Sequence, residues 1–307
     1  MKRAVNCGLV KADNMKQAIL LLSFGTPRQP SDLLPYLTSI RRGKIPTERE
    51  LKVLTARYDA IGQWDNKLLQ TMGEEQKKTL KSLLAIDAMY LAYLHMPNSM
   101  EQAVESIAAA GYTSILCIVT SPFYSMVGTG AYERKLHSIL RAYPDISCEI
   151  IKSWWNRPQF FEYWRSQLMA ANPLQADTAC IFSAHSVPTS TVGSYEDEVV
   201  SASNQIAKMV GLNHWYQAWQ SAAPYGEWLG PTIESVIEQA LIDGAKRIVC
   251  IPFGFVSDHV EILYDNDIIC RNIVENAGAT YERLPMPNGN TLFMEAMAKA
   301  IRERINK

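Results

Sequence analysis

Residues 178–188 read Thr-Ala-Cys-Ile-Phe-Ser-Ala-His-Ser-Val-Pro, a nearly uninterrupted apolar run that ends in a histidine. Strands buried on both faces have this composition, and they occur in parallel sheets covered by helices. Similar short runs recur along the chain, separated by longer amphipathic stretches. This alternation predicts an α/β protein with parallel sheets.

The remaining strands and helices are predicted from the same alternation between short apolar runs and longer amphipathic stretches. Strands are predicted over residues 18–24, 89–94, 115–120, 148–152, 178–184, 214–219 and 247–252. Helices are predicted over residues 73–84, 100–110, 131–143, 158–171, 196–210 and 231–243. So many strand–helix units favour two doubly wound halves over one barrel. We expect an N-terminal domain over 16–178 and a C-terminal domain over 179–307, with the last helix packing back on the first.

Composition excludes several classes of protein. The chain has 307 residues, 48% of them hydrophobic and 20% charged, so it can bury a full core. A net charge of −1 gives no general attraction for nucleic acid. Six cysteines without a CxxC pair suggest reduced thiols, and no apolar run is long enough for a leader or a membrane span. We therefore expect a cytoplasmic protein.

Two segments carry residues suited to catalysis at strand ends, where parallel sheets bind ligands. His185 follows the strand quoted above, although a loop histidine bonded to nearby backbone is an equal alternative. Asp258, Glu261 and Asp265 lie three and four positions apart, on one face if the segment is an α-helix. Asp258 could be only an N-cap, and the other two acids could form a solvated face.

An imidazole and a carboxylate from two different strands suit a borderline divalent cation such as Fe²⁺. The HExxH and paired CxxC patterns of resident metal sites are absent, as are GxGxxG and GxxxxGK[ST]. These observations favour a metal that binds transiently and is itself a substrate.

Aromatic and arginine residues suggest the chemistry of a ligand that binds beside the metal. Trp219 and Trp228 near a strand end could form a flat wall for a large planar ligand, or could belong to the core. Arg41, Arg42 and Arg57 could bind carboxylates, or could lie on a solvated helix face.

Eight short blocks along the chain form one ordered set. They are FGTP at 24–27, IRRG at 40–43, RYDAIG at 57–62, SAHS at 183–186, WQS at 219–221, WLGP at 228–231, GFVSDHVE at 254–261 and PMPN at 285–288. In this order they resemble the ferrochelatase family, especially the coproporphyrin enzymes of Gram-positive bacteria. The resemblance implies two Rossmann-like domains with a porphyrin cleft between them.

The resemblance also implies an activity, the insertion of Fe²⁺ into a porphyrin with propionate groups (coproporphyrin III or protoporphyrin IX) in haem biosynthesis. It implies that His185 and Glu261 are catalytic and that His185, Glu261 and Asp265 contact the metal. The substrate-binding positions it implies are Phe24, Arg41, Arg42, Arg57, Asp65, Tyr124, Ser221 and Trp228. We expect a monomer with no resident cofactor and no iron–sulfur cluster, since no cysteine-bearing extension follows residue 288.

Four places depart from the family pattern, one of them residues 193–196, Gly-Ser-Tyr-Glu, where the family has a Gly-Asp-Pro-Tyr-like loop. Phe24 replaces a tyrosine, Asp65-Asn66-Lys67 replaces Ser-Pro-Leu beside a propionate, and Ile269 replaces an acid on the metal path. Asp65 would repel a carboxylate unless a nearby cation compensates. These departures leave open a non-catalytic porphyrin- or haem-binding protein. A related chelatase acting on sirohydrochlorin is a second alternative, which the ordered blocks at 219–221 and 228–231 argue against.

Overall fold

The computed structural model describes residues 16–62, 64, 67–223 and 225–306. Asp65 and Asn66, which carry one of the departures from the family pattern, lie outside the described residues, as does Cys7. The remaining five cysteines are free thiols.

Eight parallel strands form two four-stranded sheets, in the orders β2-β1-β3-β4 and β6-β5-β7-β8. The strands β1 to β8 are Gln17–Ser23, Met89–Tyr93, Ser114–Val119, Ser147–Ile151, Thr178–His185, Trp215–Gln220, Arg247–Ile251 and Thr280–Arg283. The prediction of an α/β fold with parallel sheets is confirmed. The exact division at residue 178 stays a prediction.

Helices cover both faces of each sheet, as parallel connections require. The α-helices α1 to α10 are Leu33–Ile40, Glu48–Ile61, Lys67–Leu84, Ser99–Ala109, Thr129–Leu140, Pro158–Ala170, Tyr195–Val210, Ile233–Ile242, Arg271–Asn276 and Thr291–Ile305. Two 3₁₀ turns, Pro30–Asp32 and Thr189–Thr191, and a π-helix, Glu261–Cys270, complete the described structure.

The seven predicted strands are present to within about two residues at each end, the usual uncertainty of such boundaries. β8 was missed because its sequence, Thr-Tyr-Glu-Arg, is short and polar, as an edge strand tolerates. The predicted helix ranges also do not include α1, α2, α9 and α10. None of the described helices combines the length and apolar composition needed to cross a bilayer.

One apolar core is shared by the two sheets. Leu21 of β1 and Phe182 of β5 belong to the same buried cluster, together with α6, α7 and α10. Phe293 of α10 lies at its centre, with its ring 5.5 Å from Trp154 and 5.2 Å from Tyr163. Two smaller clusters cover the outer faces of the sheets. The two sheets are thus parts of one packed structure.

A close approach between two strand ends shapes the loop that follows β7. Gly254 packs so tightly on β5 that a Cβ there would lie 2.5 Å from Cβ of Ala184. Its N–H donates to the carbonyl of Ser183 over 3.1 Å. Only glycine allows this approach. The loop therefore runs directly past the end of β5 before the π-helix begins.

Candidate active site

His185 is the last residue of β5, and the backbone carbonyl of the next residue orients its ring. Its Nδ1 donates to the carbonyl of Ser186, and Tyr195 Oη donates to the carbonyl of His185 over 2.9 Å. A proton held on Nδ1 leaves Nε2 for an external partner, which is how metal-binding imidazoles are commonly fixed. The side chain is 38% exposed, so Nε2 is accessible at the end of the sheet.

Glu261 meets this imidazole from the first turn of the π-helix. Its Oε1 lies 3.5 Å from His185 Nε2, and its Oε2 lies 3.4 Å from His259 Nε2. The carboxylate therefore lies between two imidazoles. We expected Asp258, Glu261 and Asp265 on one α-helical face, but the helix begins only at Glu261 and has π geometry. Short π segments are rare and occur frequently at functional sites.

The charges of this pair stabilise each other. Burial by itself lowers the pKa of His185, but the negative charge of Glu261, their hydrogen bond and the Ser186 carbonyl raise it to about 9. Burial disfavours the Glu261 carboxylate, but His185 and His259 outweigh burial and hold its pKa well below the usual range. The metal-free site therefore contains an imidazolium paired with a carboxylate at neutral pH.

Asp265 lies one turn further along the π-helix and has different partners. Ser221 Oγ donates to its Oδ2 over 2.9 Å, and Arg57 of α2 lies 3.4 Å from its Oδ1. The guanidinium of Arg57 also lies over the ring of Tyr264, 5.0 Å from its centroid. Burial raises the pKa of Asp265, an effect that Arg57 opposes. The first half of the chain thus reaches the acidic helix through Arg57.

Phe24 lies on the first half of the molecule in an aromatic cluster. Its ring is 44% exposed and lies 4.4 Å from His95 and 6.3 Å from Tyr36. Tyr36 donates to the carbonyl of Gly25, while His95 Nδ1 lies 2.9 Å from Ser39 Oγ. The negative charge of Glu261 acts on Tyr36 and contributes to its raised pKa, after burial as the main cause. This cluster therefore lies within electrostatic reach of Glu261.

The three arginines differ in how freely they could bind a carboxylate. Arg41 pairs with Glu50, which also closes the capping box of α2 with Thr47. Arg57 is engaged by Asp265. Arg42 is exposed and has no ion-pair partner among the residues that the structure describes. Arg42 is the arginine most available to a ligand.

The remaining predicted positions do not contact the His185–Glu261 pair. Tyr124 is half-buried, with Lys152 Nζ 5.3 Å from its ring centroid. Trp228 is half-buried and donates to the carbonyl of Tyr225 over 2.8 Å. Trp219, considered as a wall of the ligand site, belongs instead to the core, 2% exposed and beside Tyr195.

Sequence reasoning missed a buried polar chain beneath the site. Ser183 donates to Gln220 over 2.9 Å, and Gln220 donates to Asn266 of the π-helix over 3.2 Å. All three side chains are almost fully buried, so their polar groups require partners. The sequence also gives no indication that His259 contacts Glu261. Buried polar residues inside apolar strands were the available signal.

No group of three or more His, Cys, Asp or Glu side chains in the described ranges is arranged to hold a metal ion. His185 and Glu261 are adjacent, whereas Asp265 is turned toward Arg57 and Ser221. The three predicted metal contacts are therefore not gathered into one ready-made site.

The protein has two parallel sheets, and an imidazole at the end of β5 faces a carboxylate in the π-helix that follows β7. This arrangement defines a chelatase-like protein. The fold is similar to the sirohydrochlorin chelatase SirB of Bacillus subtilis subspecies spizizenii, solved with cobalt (TM-score 0.63, 10% identity, 94% of this chain and 95% of that one). It is also similar to CbiX, described as the terminal enzyme of sirohaem biosynthesis in denitrifying bacteria (TM-score 0.54, 13% identity, 93% and 98%). At these identities the likeness concerns the fold alone.

The sequence comparisons are more specific. The ferrochelatase family model matches residues 16–305, and the chain belongs to the ferrochelatase family. It is 33% identical to the coproporphyrin III ferrochelatase of Geobacillus kaustophilus over 93% of this chain and 95% of that protein. It is 31% identical to the coproporphyrin III ferrochelatase of Staphylococcus aureus over 94% and 98%. The expected family is thereby confirmed, and with it an enzyme class, the metal chelatases.

Proposed function

We propose that this protein inserts Fe²⁺ into coproporphyrin III, with His185 and Glu261 acting on the pyrrole protons and on the metal. One observation carries the proposal. His185 Nε2 lies 3.5 Å from Glu261 Oε1, and both side chains are partly exposed. Family membership supports the reaction, and the names of the relatives support the choice of porphyrin.

The chemistry requires two pyrrole N–H protons to leave while Fe²⁺ loses its water. His185 offers Nε2 because Nδ1 is committed to a backbone carbonyl. Fe²⁺ would disfavour an imidazolium at this position, so metal arrival lowers the proton affinity of His185. Once the proton of that imidazolium has left to solvent, the charge of His185 no longer holds down the pKa of Glu261, and the carboxylate can receive a pyrrole proton on either oxygen. The pair thus offers proton acceptors and a metal ligand next to each other.

Propionate binding is the second part of the proposal. Coproporphyrin III has four propionates and protoporphyrin IX has two, so a cationic rim favours the former. We assign Arg42 to a propionate because it is exposed and unpaired within the described ranges. Arg41 and Arg57 can contribute by sharing their remaining N–H donors, since a guanidinium has five. Phe24, Asp65, Tyr124, Ser221 and Trp228 complete the proposed substrate contacts.

We further propose a monomer in a reducing, cytoplasmic compartment, with no resident cofactor. The five described cysteines are free thiols, although the Sγ atoms of Cys117 and Cys148 are only 3.7 Å apart. Unpaired cysteines suit such a compartment. Sedimentation of the purified protein would measure the oligomeric state.

The test is anaerobic mixing of the purified protein with Fe²⁺ and each porphyrin, followed by the Soret band. We expect metallation of both porphyrins, with coproporphyrin III preferred. A shifted porphyrin spectrum without metallation would contradict the proposal and favour a non-catalytic binding protein. Turnover of sirohydrochlorin alone would favour the other alternative.

A further inference from the structure

Asn288, in the turn between β8 and α10, uses all its polar groups to join three segments. Its side-chain carbonyl accepts from the backbone N–H of Asp258 over 2.9 Å, and its amide donates to Oδ2 of Asp258 over 2.9 Å. Its backbone N–H donates to the carbonyl of Val256 over 2.9 Å, and its own carbonyl accepts from Gln76 of α3 over 3.2 Å. It therefore links the first half of the chain to the segment before the π-helix.

The backbone conformation explains why asparagine suits this position. Asn288 has a φ of 51°, in the left-handed region where only glycine and, less often, asparagine or aspartate are found readily. Glycine would keep the conformation but lose both bonds to Asp258. Aspartate would keep the shape but place a carboxylate against that of Asp258. Of these three residues, only asparagine both adopts the left-handed conformation readily and offers a side-chain donor and acceptor to Asp258.

Arg283, at the end of β8, holds the same segment from the other side. It is 14% exposed and donates to both oxygens of Asp267, over 2.6 Å and 2.8 Å. It also lies 3.1 Å from Oδ1 of Asp258. Asp258 precedes the π-helix and Asp267 lies within it, so the helix is held at both points. Glu261 lies between them.

The start of the π-helix has no side-chain cap of its own. Its N-cap residue is Val260, whose apolar side chain cannot accept a hydrogen bond from the first turn. Glu261, in the first turn, must nevertheless stay within reach of His185. A reacting group displaced by about 1 Å can lose rate by about a hundredfold, so external support at this point matters.

We propose that Asn288 is a positioning residue for metal insertion, which by holding Asp258 fixes the start of the π-helix and keeps Glu261 against His185. The inference rests on the proposed function. Asn288 does not contact the reacting groups itself. It acts through Asp258, and it connects this position to Gln76, which is 1% exposed in the other half of the protein.

The first test is Asn288→Gly, which keeps the left-handed backbone and its two backbone bonds. We expect kcat for metallation to fall about 10- to 100-fold, as for other residues that orient a metal ligand, and porphyrin affinity to change less than about threefold. The control is Asn290→Ala, two residues further on. It removes the N-cap of α10, where Asn290 accepts from Phe293 N–H, and so costs stability without reaching the π-helix.

The second test is rescue by exchange. Asn288→Asp opposes two carboxylates and should lower kcat at least as much as Asn288→Gly. Combining it with Asp258→Asn restores one donor and one acceptor, and should recover about tenfold of the lost rate. The proposal is overturned if Asn288→Gly leaves kcat within about twofold of wild type, if Asn290→Ala lowers kcat as much as Asn288→Gly does, or if the exchange recovers nothing.

A structural measurement separates this inference from the proposed function. In a crystal structure of Asn288→Gly we expect His185 Nε2 and Glu261 Oε1 to lie farther apart than 3.5 Å. An unchanged separation would overturn the positioning role, whatever the activity. A wild-type protein that binds porphyrin without metallating it would overturn the proposed function, while the separation in the variant would still decide the role of Asn288.

Discussion

At the scale of single residues, the site depends on charges that stabilise each other. His185 was predictable because a histidine at the end of a buried parallel strand lies where such sheets bind ligands. Glu261 was predictable as its partner through the family resemblance. The sequence does not predict the distance between the two side chains, their hydrogen bond, or the contact of Glu261 with His259. These features depend on a helix geometry that the sequence does not reveal.

Replacing Glu261 should therefore change His185 directly. In metal-free Glu261→Gln, the pKa of His185 should fall from about 9 to its ordinary value of 6.5 or below, because the negative charge is gone and burial then dominates. Histidine NMR titration measures this shift. The control is Glu238→Gln, an exposed residue of α8, which should leave the titration unchanged. A pKa that stays near 9 in the first variant would contradict the assigned cause.

His95 makes the protein sensitive to acid. Burial, helped by Lys135, lowers its pKa from 6.5 to about 4, so between these values the unfolded chain binds a proton that the folded protein does not. The contribution of His95 to the free energy of unfolding is therefore fully present above pH 6.5 and is lost as the pH falls toward 4. Because the ring is partly exposed, we expect a loss on the order of 2 kcal/mol.

The variant His95→Gln should lose less stability between pH 6.5 and 4 than wild type does, as measured by urea unfolding at each pH. His137→Gln, on the exposed face of α5, provides the control and should follow wild type. Identical acid sensitivity of His95→Gln and wild type would show that this imidazole is not responsible.

At the scale of elements, the loop from β7 to the π-helix decides where the acids lie. The strands were predictable from their apolar runs, and β8 was not, since an edge strand can be polar. The spacing of the acids predicts an α-helix and does not distinguish it from the π-helix, because residues four apart lie on one face of both. The contacts that hold the segment, from Asn288 and Arg283 as well as from Arg57 and Ser221, appear only in the structure.

Gly254→Ala tests that loop. A new Cβ would lie 2.5 Å from Cβ and 2.7 Å from Cα of Ala184, so the loop must move away from β5. We expect a loss of about 1–3 kcal/mol in the free energy of unfolding, together with slower metallation. Gly289→Ala is the matched control, because its added Cβ meets only an ordinary contact at 3.6 Å to Glu75. Equal stability of the two variants would refute the close approach.

At the scale of the whole molecule, the two sheets share a core although the sequence suggested two domains. The alternation of strands and helices predicts two doubly wound halves, and two sheets are present. The return of the last helix, α10, to the first domain was expected, but the alternation does not predict that α6 and α7 also join the sheets, because such contacts pair residues that are distant in the chain. Phe293 of α10 contacts aromatic residues of α6 and of the segment before it.

Unfolding should consequently be a single transition. Phe293→Ala should remove about 3–5 kcal/mol from the free energy of unfolding and shift the whole transition, because the cavity lies in the shared core. Circular dichroism and tryptophan fluorescence should report the same midpoint. Leu292→Ala, next to it and 38% exposed, should change stability by less than about 0.5 kcal/mol. Two separate midpoints would mean that the halves unfold independently.

The most direct measurement compares His185→Ala with wild type in anaerobic single-turnover metallation of coproporphyrin III, with porphyrin affinity measured in parallel. We predict a loss of rate of about 10²- to 10⁴-fold, as when an acid–base group is removed, and an affinity within about tenfold of wild type. Turnover at the wild-type rate in His185→Ala would contradict the role assigned to the imidazole that faces Glu261.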